Sequence, residues 1–493
     1  MKATLPRLRT SHLTADARAL LRCQTALDLK DRGEYFAAQE VMRPLWKGMG
    51  TSPATEGLHP TVAAEVLLCV GTLTRWIGSR NQVKEAQTIA KDLITESITI
   101  FESLGDVLKI AAAHSELAYC YWREGAFSEA RIWFNEALQR LTTEGATRAN
   151  ALLGLAVVEW ADTRYAESLR VLTTNAPLFE KINNYTLKGA YHTQLAIVLR
   201  NLVTAENRSD YLQRAVNEYQ QADKYFRVAR NVGFRADVTN NLGNLLRQLG
   251  RFEEADARLN EARRLAVSIK DKIRVAQFDD TRAQLLIDQG RFAEAETIAR
   301  RTVAVLEKTD HYCLLAEMLI THGITLARLP DDTTERAHIE LQRAIAVALR
   351  VDAYNKAGLA ALTLIEELAA DLSPEIVVTA YYRADEWLSA LQGNQDVQLR
   401  LSNAARKVLG QKPLEFLHTV DLAFASCNLR DEVRKFEGTL IRRALIATNG
   451  SVTRAGALLG MTHQALAPII AKRHPELLKV RSPVHRRSRQ RET

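Results

Sequence analysis

The stretch Leu242-Gly243-x-x-Leu246-x-x-x-Gly250-x-Phe252-x-x-Ala255-x-x-x-Leu259-x-x-Ala262 decides the fold. Small and apolar residues recur three and four apart before Gly250 and again after it, so the stretch reads as two helices around one reversal. Gly250 supplies the positive φ a tight reversal needs. Phe252 opens the second helix and covers the pair, and Gly243 and Ala255 are small where the two helices cross. The pattern returns around Gly125, as His114, Leu117-Ala118, Tyr121, Phe127, Ala130, Phe134 and Ala137-Leu138. Around Gly290 it returns as Ala283, Leu286, Phe292, Ala295 and Ala299. Looser copies lie at Leu155-Ala156 with Tyr165, Ser168 and Leu172, and at Gly33 with Tyr35 and Ala38. Strand signals are almost missing, so the class is all-α and the architecture is built by stacking.

These residues resemble the tetratricopeptide repeat (TPR), with Gly250 and Gly290 set further apart than the roughly 34 residues of that unit. The resemblance implies a right-handed solenoid of about nine helical hairpins over residues 13–391, its concave face lined by the first helix of each pair. Extra residues at Gly78 to Lys84 and Val203 to Tyr211 fall in the second and fifth hairpins. Asp106, Asn184, Asp271, Asp310 and Asp352 stand where helix N-caps are expected. The resemblance further implies a peptide or protein effector in the groove, or self-association. Asn240, Asn241, Asn244 and Arg247 are the candidate peptide-binding residues, since Asn offers a donor and an acceptor to an extended backbone. His192, Gln194, Arg200 and Asn201 sit similarly one repeat earlier. Solvated or inter-repeat hydrogen bonding accounts for the same Asn pattern. Trp46, Trp76, Trp122, Trp133, Trp160 and Trp387 are read as packing between helices.

Near the C-terminus, Leu429 to Ala447 is amphipathic, with Val433, Phe436, Leu440, Ile441, Ala444 and Leu445 on one face. Asn449-Gly450 stops that helix. Ser451 caps a second, Val452 to Leu459, which ends at Gly460, and Thr462 caps a third running to Arg473. Ala455 and Gly456 leave room for a close crossing, and Leu458, Leu459, Met461, Leu466 and Ile469 fill the space between helices. Over residues 428–474 this helix-turn-helix pattern resembles the Fis-type (factor for inversion stimulation) DNA-binding domain. The resemblance implies double-stranded DNA as a partner, with His463 and Gln464 at base edges and Ser451, Thr453, Arg454, Thr462, Lys472 and Arg473 at phosphates. One such module buries little surface, so a homodimer is expected. The sequence departs from the Fis pattern at Ala467-Pro468-Ile469-Ile470. Pro468 is expected to kink or shorten the third helix, and the apolar run also suits an interaction module.

Of the +8 formal charge on 493 residues, most lies after Ala471, where eight Lys or Arg face two Glu. A polyanion partner is therefore expected at that end alone. Five scattered cysteines without a C-x-x-C pair argue against zinc and for a reducing compartment. No signal-peptide pattern or membrane-length apolar run is read, so the expectation is cytoplasmic. No P-loop, H-E-x-x-H, G-x-S-x-G or G-x-G-x-x-G after a strand appears, and neither catalysis nor a cofactor or metal is expected. The organisation expected is an arm (1–12), the solenoid (13–391), capping helices and linker (392–427), the Fis-type module (428–474) and a basic tail (475–493). The function expected is a DNA-binding transcription regulator with an effector-binding solenoid. The alternative is a TPR interaction scaffold with the C-terminal segment as a docking module.

Overall fold

Two kinds of junction repeat along the chain in the computed structural model. Within hairpins, Gly33, Gly125, Gly250 and Gly290 take φ near 76°, 81°, 72° and 73°, the left-handed reversal that glycine accepts without strain. The loosest repeat keeps this reversal without glycine, since Thr163 holds φ 59°. Between hairpins, a left-handed residue precedes a side-chain cap. Gly105-Asp106, Arg230-Asn231 and Lys270-Asp271 all follow this form, and the Asx oxygens accept from Lys109, Phe234 and Arg274 amides at 3.1, 2.9 and 3.1 Å. Asn184 caps in the same way, through the Leu187 amide at 2.9 Å. Asp310 and Asp352 do not: the caps there are His311 and Ala353, without a side-chain bond, and Asp352 itself holds the left-handed turn.

The structure describes residues 13–80, 83, 85–206, 210–330, 333–388, 395–411, 429–448, 450–459 and 461–480. The expected arm 1–12, the linker residues 392–394 and 412–427 (Cys427 among them), Asn449, Gly460 and the tail beyond Val480 lie outside them. The chain divides into units 1–411 and 412–493.

The first unit is all-α. Its hairpins are α1–α2 (Ala15–Asp31, Tyr35–Met42), α3–α4 (Pro60–Arg80, Ala86–Leu104), α5–α6 (Val107–Arg123, Phe127–Arg140), α7–α8 (Ala146–Ala161, Tyr165–Thr174) and, after the short α9 (Ala176–Lys181), α10–α11 (Tyr185–Glu206, Asp210–Val228). Then follow α12–α13 (Val232–Gln248, Phe252–Ser268), α14–α15 (Lys272–Asp288, Phe292–Leu306), α16–α17 (Tyr312–Ala327, Thr334–Leu349), α18–α19 (Tyr354–Leu368, Pro374–Leu388) and a closing α20 (Gln395–Gln411). Each helix packs mainly on its hairpin mate and on the next hairpin. Alanines at the crossings (Ala118, Ala130, Ala255, Ala283, Ala295) are fully buried, as the repeat spacing requires. Helix α3 has the length and apolar composition of a membrane span, yet most of its side chains are buried within the solenoid.

A stacked solenoid needs contacts only between neighbours, but this one closes on itself. The Asp31 carbonyl, at the C-terminal end of α1, accepts from Asn231 Nδ2 and Thr186 Oγ1, both at 2.8 Å. The Asp31 carboxylate accepts from Asn184 Nδ2 at 3.1 Å. Asn184 and Asn231 are the caps of α10 and α12, so each amide serves its own helix with oxygen and the first hairpin with nitrogen. Nearby, Arg80 pairs with Asp271 at 2.6 Å and the Trp76 and Phe234 rings stand 6.0 Å apart. The first six hairpins thus make a closed turn.

The second unit packs α21 (Leu429–Ala447), α22 (Val452–Leu458) and α23 (His463–Arg473), then a 3-10 turn at Pro475–Lys479, around Ile441, Leu445, Val452, Ala455, Leu466, Ile470 and Leu477.

Asn231→Ala removes the cap and the closing donor together and is expected to cost about 1–2 kcal/mol in urea denaturation. Asn231→Asp keeps a capping oxygen but turns an anion toward the Asp31 carbonyl. It is expected to lose stability as well; an aspartate variant as stable as the parent would show that closure contributes nothing.

Candidate functional site

The closed turn encloses a cavity of about 600 Å³, within the roughly 300–1,000 Å³ of small-ligand pockets. Its wall is built mainly from the first helices of six hairpins, α1, α3, α5, α7, α10 and α12, which lie on the inside of the turn, with Tyr35 of α2 and Phe226 of α11 added. Tyr35, Trp76, Tyr119, Trp122, Phe226 and Phe234 give it aromatic faces, and Leu27, Leu68, Leu153 and Val157 fill between them.

The charged groups of the wall are mostly matched. Arg75, only 3% exposed, donates to Glu116 at 2.7 Å and lies over the Trp76 and Tyr119 rings at 5.1 and 4.8 Å. Lys30 pairs with Asp31 at 2.9 Å, Lys109 pairs with Glu65, and Asp237 takes a two-pronged contact from Arg274 at 2.7 and 2.9 Å. Arg123 is different. Its guanidinium rests on the Trp122 ring at 4.4 Å and meets no carboxylate among the described residues. Gln194, only 6% exposed, has an Nε2 without an acceptor, and Arg75 Nε lacks one too. Burial pushes the Tyr35 phenol up to about 12 and the Tyr119 phenol up as well, so both stay protonated at neutral pH. The Cys69 thiol is pushed up by its contact with Cys23 and by burial, away from the thiolate form that reactivity requires. The wall is therefore a set of donors and aromatic faces suited to holding a ligand.

The residues named from the sequence divide. Asn241 lines this cavity and also a polar one of about 790 Å³ beside it. Asn240 is buried at 5% exposure with Oδ1 unpartnered, and it borders the second cavity. Asn244 accepts from Arg247 Nε at 3.0 Å, and Arg247 is tied to Asp288 of the following repeat. Of the earlier set, Gln194 reaches the cavity, whereas His192 contacts Glu218 at 2.6 Å. Trp46 is packing, at 1% exposure, but Trp76 and Trp122 are cavity wall, contrary to the packing role read from spacing. Arg75, Tyr119 and Arg123 were not singled out at all. The available signal was the pairing of a tryptophan with an arginine, Arg75-Trp76 and Trp122-Arg123, at the end of a first helix. Cys23, Cys69 and Cys120 are buried thiols, and Cys313 is exposed.

In the second unit, Ser451 accepts from the Arg454 amide at 3.5 Å and Thr462 from the Ala465 amide at 3.2 Å. A Cβ on Gly456 would stand 2.8 Å from the Met461 carbonyl, so the close approach of α22 to the turn needs glycine there. Thr453, Arg454, Thr462, His463, Gln464 and Lys472 are exposed together, and Ser451 is half-buried. Arg473 is held by Glu437 at 3.1 Å. His474 is buried against Gly438 with Nε2 3.0 Å from Glu437. Helix α23 continues through Pro468 to Arg473 rather than stopping there. Leu440 and Leu458, expected inside, are 40% and 64% exposed because Ile441, Leu445 and Ala455 occupy the inner faces of their helices.

A tetratricopeptide repeat family model matches residues 234–308, within an all-α, TPR-like solenoid. No curated protein sequence matches it significantly. A STAND (signal transduction ATPase with numerous domains) protein with a tetratricopeptide repeat sensor, from Pyrococcus horikoshii, is similar in structure at 13% identity and TM-score 0.51. The match covers 75% of this chain and 55% of that one, so the chain spans about half of that protein's length. The apo form of RapI is similar at 12% identity and TM-score 0.51, over 77% of this chain and 98% of that one. A Rap protein complexed with competence and sporulation factor matches at 13% identity and TM-score 0.48, over 80% and 100%.

Asp280 occupies the repeat position of Asn240, ten residues before its turn glycine, and shows what that position does elsewhere. It accepts from Thr321 Oγ1 at 2.7 Å in the next hairpin and from Gln284 Nε2 at 2.8 Å. Burial pushes its carboxyl up to about 6, against the pull of those two donors. The folded state then holds a proton that the unfolded chain has released, so this group lowers stability as pH rises from about 4 to 6. Above that the penalty stays constant, on the order of 3 kcal/mol. Asp280→Asn removes the charge but loses the acceptor facing Gln284, about 1 kcal/mol. It is expected to be more stable than the parent at neutral pH and to lose that advantage below pH 4. A difference that does not change with pH would refute this assignment.

Proposed function

We propose that the chain is a peptide- or protein-binding regulator whose ligand occupies the closed turn of the solenoid. One observation carries the reading: six first helices converge on a cavity with aromatic walls and donors that have no partner within the protein. Unsatisfied donors in a half-buried wall are costly, and a ligand carrying acceptors relieves that cost. The likeness to a tetratricopeptide repeat sensor supports the same reading.

A second reading adds sequence-selective DNA binding by the C-terminal unit, making the whole a transcription regulator active as a homodimer on double-stranded DNA. The observation favouring it is the glycine-permitted crossing at Gly456 beneath an exposed group of Thr453, Arg454, His463 and Gln464. Gln suits bidentate readout of adenine, and the capped N-terminus of α23 favours phosphate. Without DNA, the same unit is a docking module on an interaction scaffold.

Filling the cavity tests the first reading. Ala190 lines it from α10 and is half-buried, so Ala190→Trp is expected to abolish retention of a random short-peptide pool while leaving the circular-dichroism melt intact. Peptide retention unchanged by this variant would place binding elsewhere. For the second reading, gel shifts with genomic fragments at moderate salt are expected to show selective complexes. Gln464→Ala should weaken these by about 1–3 kcal/mol, and complete failure to bind DNA would leave the interaction scaffold.

A further inference from the structure

The charge balance of the cavity wall specifies what kind of ligand it takes. Its acids Asp31, Glu65, Glu116 and Asp237 are all engaged, by Lys30, Lys109, Arg75 and Arg274. A cationic ligand finds no free partner there. Among the described residues, Arg123 alone of the wall's cations has no acid, and it stands over the Trp122 ring on the cavity wall. Gln194 Nε2 and Arg75 Nε add two donors without acceptors. Gln194 is itself more than nine-tenths buried, so water does not readily serve it. A neutral, apolar occupant would displace water from Arg123 and offer nothing in return, which disfavours it.

We infer that the cavity binds a carboxylate-bearing peptide, with the carboxylate on Arg123, a neighbouring carbonyl accepting from Gln194 Nε2, and an apolar side chain among Trp76, Trp122 and Phe234. This rests on the peptide-binding reading of the same cavity and assigns the ligand's charge. A guanidinium presents paired donors that match the two oxygens of a carboxylate. One unspent cation balances a monoanion, whereas a phosphate dianion would need more. Burial and the neighbouring Arg75 charge lower the Arg123 pKa to about 10, although the residue keeps an exposed surface. It remains charged at neutral pH and gains from an anion.

The test uses the full chain and three pools of random pentapeptides: free acids without Asp or Glu, the same sequences as C-terminal amides, and amides carrying one internal Asp or Glu. Retained peptides are separated by gel filtration and counted by mass spectrometry. The parent protein is expected to retain carboxylate-bearing peptides about tenfold over the neutral amides. Enrichment of the first pool assigns the carboxylate to the peptide terminus, and enrichment of the third to a side chain. Arg123→Gln should bring the ratio close to one, and Arg123→Lys should restore part of it. Acid and amide peptides retained equally, or a preference that survives Arg123→Gln, would overturn the charge assignment while leaving peptide binding intact. Retention of no peptide from any pool would overturn both.

Discussion

The carbonyl and carboxylate of Asp31 hold the two ends of a superhelical turn together, and the cavity exists because of them. The last carbonyls of a helix have no partner within it. In an open solenoid the end of α1 would be left to solvent. Here Asn231 and Thr186 donate to the Asp31 carbonyl and Asn184 to its side chain. These bonds join residues 153 to 200 positions apart in sequence, whereas the rest of the repeat stack depends on near neighbours. Arg80 to Asp271 and Trp76 to Phe234 reinforce the seam. Gly33 borders the seam: its φ of 76° favours glycine, and a Cβ there would stand a tight 3.1 Å from Asn231 Oδ1. Closure brings the walls of the groove together around one cavity, where a buried donor such as Gln194 Nε2 counts for more than it would at the surface.

Much of the hairpin architecture was legible, because its determinants are local. The reversal glycines, the aromatic two residues later and the small residues at crossings all fall within about 20 residues of one another, close enough for a repeat to show. Caps were legible where an Asp or Asn directly precedes a helix and the preceding residue turns left-handed, as at Asp106 and Asp271. Asn231 follows the same rule behind Arg230, a residue that gives no turn signal. Asp352 misled because it adopts the left-handed turn itself. The site was much less legible. Trp76 and Trp122 have the spacing of packing residues, and only closure exposes the side of the helix on which they become wall. Arg123 looks like any solvated arginine at a helix end until its surroundings show that no acid is there.

The C-terminal unit tests local rules from the other direction. Proline within a helix removes one amide donor and crowds the preceding turn, so Pro468 is expected to kink or shorten the helix. The helix instead runs on, and the cost falls on the Gln464 carbonyl, which loses the amide four residues ahead. Leu466 and Ile470, buried on either side of Pro468, keep the segment in place by packing, the usual source of helix stability in short elements. Near its end, Glu437 collects both Arg473 and His474, so charge that looked available for a polyanion is partly spent on tying α21 to α23. The free cations on this surface are fewer than the sequence suggests, and Arg454 and Lys472 carry more of any phosphate contact.

The same accounting governs both units. A charge in a folded protein shows its purpose less by its identity than by whether its partner comes from the chain. Arg75, Arg274 and Arg473 are answered by Glu116, Asp237 and Glu437, and their energies are already committed to holding helices in register. The Arg75 pair is largely buried and costly to break, the Arg274 pair is partly buried, and the exposed Arg473 pair contributes little to stability. They make rigid walls and poor ligand sites. Arg123 and Gln194 lie among such pairs without an answering group, on a wall whose shape those pairs fix. Both line the same cavity. The closure at Asp31 therefore does more than stabilise the fold: it holds these donors in place, unsatisfied, facing a space large enough for what they need.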